Sequence, residues 1–230
     1  MQIGILLAGH TPEELRAKRG DFDAMFARLL DGHGFTFRAY DVENMVFPDS
    51  VLDCDGWLIT GSKHGAYEDH AFIPPLEQFI RGAHAADRPL VGICFGHQIV
   101  AQALGGTVVK WPEGWSLGRR DYQLDGGETI ALNAWHQDQV TALPDGAETL
   151  ASNAFCEHAI VAHGRRAFTV QPHPEFNGDL IADYVTMRKG TGTYPDDRME
   201  KAGAATGQPT DNGRVADAIA RFFKTRDTHV

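Results

Sequence analysis

Apolar and polar positions alternate along the first hundred residues in a way that predicts strands interleaved with helices. Ile3 to Ala8 is an unbroken apolar run closed by Gly9, as expected of a strand buried on both faces. Between Pro12 and Leu30 the apolar residues Leu15, Phe22, Met25, Phe26, Leu29 and Leu30 predict a helix, stopped by Asp31-Gly32-His33-Gly34. Phe35 to Tyr40 alternates as a second strand, and Gly56 to Thr60 makes a third, ended by Gly61. Pro74 to Ala86 reads as a helix with proline in its first turn. Pro89 to Ile93 is a fourth buried strand, and Gln98 to Leu104 a helix closed by Gly105-Gly106. Such alternation predicts a parallel sheet covered on both faces.

After Gly106 the texture changes. Thr107 to Lys110, Leu117 to Leu124, Glu128 to Leu132, Glu148 to Ser152, His158 to Ala162 and Ala167 to Val170 are short predicted strands separated by turns such as Asp125-Gly126-Gly127. They predict an antiparallel addition and one further parallel strand leading to His173. Residues 189–213, rich in Gly, Thr, Pro and Asp, read as an irregular excursion. Arg214 to Thr225 forms a last helix with Val215, Ile219, Phe222 and Phe223 on one face. No repeat or linker divides the chain, so residues 1–230 are expected to form a single α/β domain. It would have three layers, with a mostly parallel central sheet, flanking helices and a small antiparallel addition.

Composition narrows the partners. A formal net charge of -10 opposes binding to nucleic acid or to anionic membrane surfaces, which require clustered Lys and Arg. The N-terminal apolar run has no basic leader and is too short to span a membrane. Cys54, Cys94 and Cys156 are too few and too irregularly spaced for a disulfide framework or a zinc knuckle, which suits a reducing, cytoplasmic setting.

The chemistry concentrates in two segments. Gly92-Ile93-Cys94-Phe95-Gly96 follows a predicted strand and precedes a predicted helix, the arrangement of a Gly-x-nucleophile-x-Gly elbow. The turn crowds the backbone, so glycines flank it. It lifts the cysteine sulfur to a helix N-terminus, where the partial positive charge favours the attacking thiolate, and it leaves the Phe95 N–H for an oxyanion hole. About eighty residues further on, Gln171-Pro172-His173-Pro174-Glu175 offers an imidazole and a carboxylate two residues apart on proline-stiffened extended backbone. Side chains at that spacing point the same way, so Glu175 can fix the His173 tautomer.

Together with Leu58-Ile59-Thr60-Gly61-Ser62 and the following Ala66-Tyr67-Glu68-Asp69, these motifs resemble the class I, triad-type glutamine amidotransferases. The resemblance extends over nearly the whole chain and is nearest the amidotransferase domain of GMP synthetase. It implies a flavodoxin-like fold and cleavage of a γ-glutamyl amide through a thioester on Cys94. His173 would shuttle protons and Glu175 would hold His173. Phe95 and Gly61 would supply the oxyanion hole, although Thr60-Gly61-Ser62-Lys63-His64-Gly65 replaces the family's Gly-Gly-Pro turn and leaves Gly61 or Ser62 as the donor. Gln98 would line the substrate pocket, and Ser62 and His136, the latter within His136-Gln137-Asp138, would support it. No metal or organic cofactor is implied.

The substrate would be glutamine or another small γ-glutamyl compound. One expectation is a glutaminase feeding ammonia to an acceptor or a separate synthase subunit, since no synthetase sequence accompanies the site. The alternative is a stand-alone γ-glutamyl hydrolase or peptidase. A non-catalytic regulatory subunit is disfavoured by the joint presence of Cys94, His173 and Glu175. Elsewhere, Trp111 and Trp115 read as a packed surface loop, with a substrate lid near the cysteine as the alternative, and Cys54 and Cys156 as packing. His64, His70 and His97 lack the spacing of a metal site.

Overall fold

A computed structural model describes residues 1–230. Its elements run β1 (Gln2–Leu6), α1 (Glu13–Arg19), α2 (Phe22–Leu29), β2 (Thr36–Tyr40), β3 (Gly56–Ile59), α3 (Ile73–Ala85), β4 (Leu90–Ile93) and α4 (Phe95–Ala103). There follow β5 (Thr107–Lys110), β6 (Ser116–Leu124), β7 (Thr129–His136), β8 (Asp138–Ala142), β9 (Ala147–Ser152), β10 (Ile160–His163) and β11 (Ala167–Val170). Three helices close the chain: α5 (Gly178–Arg188), α6 (Asp196–Ala204) and α7 (Asn212–Thr225).

Nine strands form one sheet in the order β2-β1-β3-β4-β11-β10-β9-β6-β7, and β5 pairs with β8 in a separate ribbon. The first five in that order are parallel throughout; from β11 onward every pairing is antiparallel. Strand period two sorts the side chains to opposite faces. Ile3, Ile5, Leu58, Val91, Ile93, Phe168 and Val170 pack under α1, α2, α5 and α7, whereas Leu6, Trp57, Ile59 and Leu90 pack under α3 and α4. The result is a three-layer, flavodoxin-like α/β fold whose parallel strands end along one edge, where open sheets of this kind bind ligands.

Several elements differ from the sequence expectation. The helix expected over Pro12 to Leu30 is two helices, because Gly20 takes φ 83° and Asp21 caps the second with its carboxylate on the Phe22 N–H. The helix expected from Gln98 begins at Phe95, directly after Cys94. Helix α5 was hidden by a sparse apolar face of Leu180, Ile181 and Tyr184, although Asn177 caps it on the Leu180 N–H at 2.9 Å. Within the stretch read as irregular, α6 forms on only two buried residues, Met199 and Ala202. Strand β8 carries no boundary signal in the sequence, since it follows β7 after the single residue Gln137 with no glycine or proline at the corner. No helix is long and apolar enough to cross a membrane.

Candidate active site

Strand β4 ends at Ile93 and α4 begins at Phe95, so Cys94 makes the whole turn, with φ 54° and ψ -103°. A non-glycine residue at positive φ costs on the order of 1–3 kcal/mol and persists only where its surroundings dictate it. Here they do. A Cβ on Gly92 would lie 2.3 Å from the Gly96 carbonyl oxygen, and one on Gly96 would lie 2.2 Å from the Ile59 oxygen. The two glycines let α4 press against β3 and β4 while the Cys94 N–H donates to Val170 O at 2.9 Å. Cys94 sits at the helix N-terminus and is 6% exposed. Phe95 is the first helical residue, and its N–H has no intrahelical acceptor.

His173 reaches this point from β11, the strand that pairs with β4. Its Nδ1 lies 2.6 Å from Oε1 of Glu175, whose side chain is 0% exposed. Donation from Nδ1 to the carboxylate leaves Nε2 as the nitrogen on the Cys94 side. Burial acts to lower the His173 pKa, but the charge of Glu175 and the adjoining Cys94 sulfur outweigh it and push it up to about 10. The ring is therefore readily cationic beside the cysteine.

Gly61 follows β3 and closes the same space. A Cβ there would sit 3.0 Å from His173 Cε1 and 3.8 Å from Cys94 Cβ. Neither the Gly61 nor the Ser62 N–H donates to a backbone carbonyl, whereas Ser62 Oγ accepts the His64 N–H at 3.1 Å. Cys94, His173, Glu175, Gly61 and Phe95 thus converge at the carboxyl ends of β3, β4 and β11. The cluster pairs a thiol with a carboxylate-oriented imidazole and offers two N–H sources, a set of groups that can carry out acyl transfer.

Gln98 and His136 stand behind this cluster, both buried. The Gln98 amide donates to Asp138 O at 2.9 Å and to Gln171 Oε1 at 3.1 Å, and His136 Nδ1 approaches the same Asp138 carbonyl at 3.2 Å. Burial holds His136 neutral, its pKa lowered to about 3. Asp138 also accepts the Tyr67 hydroxyl at 3.2 Å, tying the loop after β3 to β8. His97 lies beneath the sheet, bonded to Thr169 Oγ1 at 2.9 Å. Lys63 extends into solvent and pairs with Glu43 at 3.0 Å. Trp115 packs edge-on against Tyr194, centroids 4.7 Å apart.

Three supports of His173 were not singled out in the sequence. Phe176 stacks on its ring, with centroids 4.0 Å apart and planes at 9°, and Phe22 stacks in turn on Phe176 at 6.4 Å. Asn133 of β7 accepts the His173 N–H at 2.8 Å and donates its own amide to Phe176 O at 2.9 Å. Adjacency to Glu175 could have flagged Phe176. Asn133 lies forty residues away in sequence and carries no local signal.

Residues 35–185 match the family model for glutamine amidotransferase class-I. A glutamine amidotransferase-like protein of Schizosaccharomyces pombe is 34% identical over 243 aligned residues, covering 96% of this chain and 98% of that protein. Gamma-glutamyl peptidase 4 of Arabidopsis thaliana is 30% identical over 192 residues, 76% of each chain. Among solved structures, a glutamine amidotransferase from Methylobacillus flagellatus superposes with a TM-score of 0.76 at 19% identity, over 98% of this chain and 92% of that one. The chain belongs to the glutamine amidotransferase class-I family.

Proposed function

We propose that the protein is a cysteine-dependent γ-glutamyl amide hydrolase working through a Cys94-His173-Glu175 triad. The observation that carries this reading is the placement of His173, held by Glu175 at 2.6 Å on one side and facing the Cys94 elbow on the other, where a Cβ on Gly61 would lie 3.0 Å from its Cε1 and 3.8 Å from Cys94 Cβ. In this scheme the Cys94 thiolate attacks the γ-carbonyl carbon. The oxyanion accepts hydrogen bonds from Phe95 N–H and from Gly61 or Ser62 N–H. Cationic His173 gives its proton to the leaving nitrogen, which departs as ammonia or an amine and leaves a γ-glutamyl thioester. Neutral His173 then takes a proton from water, the hydroxide attacks the thioester, and the Cys94 thiolate is expelled beside a cationic His173. In this reading Gln98, His136 and Ser62 would support the pocket for the γ-glutamyl group. Three free, buried thiols suit a reducing cytoplasm.

With glutamine as substrate, the product ammonia would serve an acceptor or a separate synthase subunit. A specific observation also favours a stand-alone reading: Arabidopsis gamma-glutamyl peptidases 4 and 3 each match 76% and 80% of this chain and equal shares of their own length. By contrast, a probable GMP synthase of Leptospira interrogans matches 71% of this chain but only 29% of its own length. Hydrolysis rates on glutamine and on a panel of γ-glutamyl amides and dipeptides separate the readings. Turnover of γ-glutamyl dipeptides without glutaminase activity selects the peptidase; glutamine turnover that requires an added synthase selects the subunit. Turnover of none of these compounds, with or without a synthase, contradicts both.

A further inference from the structure

We propose that the loop following β3 carries a binding site for one divalent transition-metal ion of the Zn2+ type, with His64 Nδ1, Glu68 Oε2 and His70 Nε2 as its protein ligands. The proposal is independent of the reading of Cys94. One ligand atom from each of the three residues lies within 4.8 Å of the other two. Glu68 Oε2 is 2.9 Å from His70 Nε2 and 3.9 Å from His64 Nδ1. A tetrahedral ion with ligands about 2.0–2.2 Å away spaces them roughly 3.3–3.6 Å apart. The two separations to Glu68 bracket that value, the two histidine nitrogens lie within 4.8 Å of each other, and the partly exposed Glu68 and His70 side chains can close on an ion by shifts of up to about an ångström.

The sequence spacing hid the site because the loop folds back on itself. The Glu68 N–H donates to Gly65 O at 3.0 Å, and the His70 N–H to Glu68 O at 3.1 Å. These turns bring residues 64, 68 and 70 to one side.

A second observation points to a metal rather than to a set of surface ion pairs. His64 Nε2 lies 2.9 Å from Oε1 of Glu43, a residue from the segment after β2. Donation from Nε2 to that carboxylate leaves Nδ1, 3.9 Å from Glu68 Oε2, as the nitrogen with a lone pair to offer. Glu43 is itself mostly buried and braced by Lys63 at 3.0 Å. Carboxylate-oriented imidazole is the outer-shell arrangement that fixes the tautomer and raises the basicity of a metal-bound histidine. Two imidazoles and one carboxylate suit Zn2+, and the exposure of Glu68 (45%) and His70 (35%) leaves the fourth position to solvent.

The site adjoins the candidate catalytic cluster. Phe72 packs against both His64 and His70, at 5.7 and 6.0 Å, and its far side meets Phe95 at 6.0 Å. His64 is three residues from Gly61. An ion here would brace the loop that bears Gly61.

Because Cys94 and His173 could themselves bind Zn2+, the test uses a Cys94→Ser parent. Calorimetric titration of this full-length variant with ZnCl2 should show one tight equivalent. Adding His70→Ala, a partly exposed change, should weaken that equivalent at least 100-fold while leaving metal-free thermal unfolding unchanged. Adding Glu43→Gln should weaken it about 10–100-fold. The Co2+ form of the parent should show d–d absorption. Absence of a stoichiometric equivalent in the parent, or affinity unchanged by His70→Ala, overturns the proposal.

Discussion

The ring of Phe176 lies parallel to that of His173, centroids 4.0 Å apart and planes 9° apart. Glu175 fixes which nitrogen carries the proton, while Phe176 fixes the plane in which the ring can turn. The stack continues through Phe22, so helix α2 sets the orientation of an imidazole that leaves the sheet at β11. Phe176 is buried, and its truncation to alanine should cost about 3–5 kcal/mol of stability. Phe176→Leu keeps most of the volume and loses the flat face. Its kcat should fall by about tenfold or more with little change in KM, because a misdirected base impairs the chemical step rather than binding. Steady-state kinetics and thermal unfolding of the two variants check this.

Three groups meet at the Phe176 carbonyl and the His173 N–H. Both Asn133 and Asn212 donate their side-chain amides to Phe176 O at 2.9 Å. Either alanine substitution alone leaves that buried carbonyl one donor and should cost about 0.5–1.5 kcal/mol. Removing both strands the carbonyl, adding a desolvation cost of roughly 1–3 kcal/mol, so the double variant should lose more than the two singles together. A urea-denaturation double-mutant cycle measures the excess; simple additivity contradicts the convergent role.

The two glycines facing the site should respond differently to alanine. At Gly96 the new Cβ meets a backbone oxygen of β3 at 2.2 Å, which cannot move without disrupting the sheet, so Gly96→Ala should fail to fold or should unfold at much lower temperature. At Gly61 it meets the edge of His173 at 3.0 Å. Gly61→Ala should fold, yet lose about 10²–10³-fold in kcat as the imidazole and the oxyanion loop separate. Circular dichroism together with turnover distinguishes the two outcomes.

His173 also gives stability a defined pH dependence. Burial lowers its pKa, but Glu175 and Cys94 raise it further, to about 10 against 6.5 in the unfolded chain. A histidine raised in the folded state contributes stability that is fully present below pH 6.5 and lost as pH rises through 10. Glu175→Gln removes the foremost raising charge. The variant should lose much less stability than the wild-type chain between pH 6.5 and 10, and its turnover should fall about 10²–10⁴-fold. Urea midpoints measured across that range test the first expectation, and rates test the second.

The parts of this molecule readable from sequence are those encoded locally. The elbow is five consecutive residues, and the His173–Glu175 pair is a proline-stiffened dyad, so chemistry and neighbourhood are written together. The strand-helix alternation through Leu104 was legible because apolar runs end on glycines. What the sequence concealed depends on distant partners. The helix break at Gly20-Asp21 lay under an apolar periodicity that runs on at Phe22, and α6 needs only Met199 and Ala202 because β6 covers it. Asn133, on β7, and Glu43, in the turn after β2, reach their histidines only after the sheet assembles. Gln98 was legible as a neighbour of Cys94, but its commitment to the Asp138 carbonyl depends on the start of β8, a strand without glycine or proline punctuation.

Covalent capture of Cys94 tests the central claim most directly. The folded protein, incubated with a diazoketone analogue of glutamine and weighed intact, should gain a single γ-glutamyl-derived adduct that peptide mapping places on Cys94. Cys54 and Cys156 are buried, and burial pushes the Cys156 thiol up to about 12, so neither should react. The adduct should be absent from a Cys94→Ser variant that retains its fold. A folded wild-type protein whose Cys94 stays unmodified under these conditions contradicts the account.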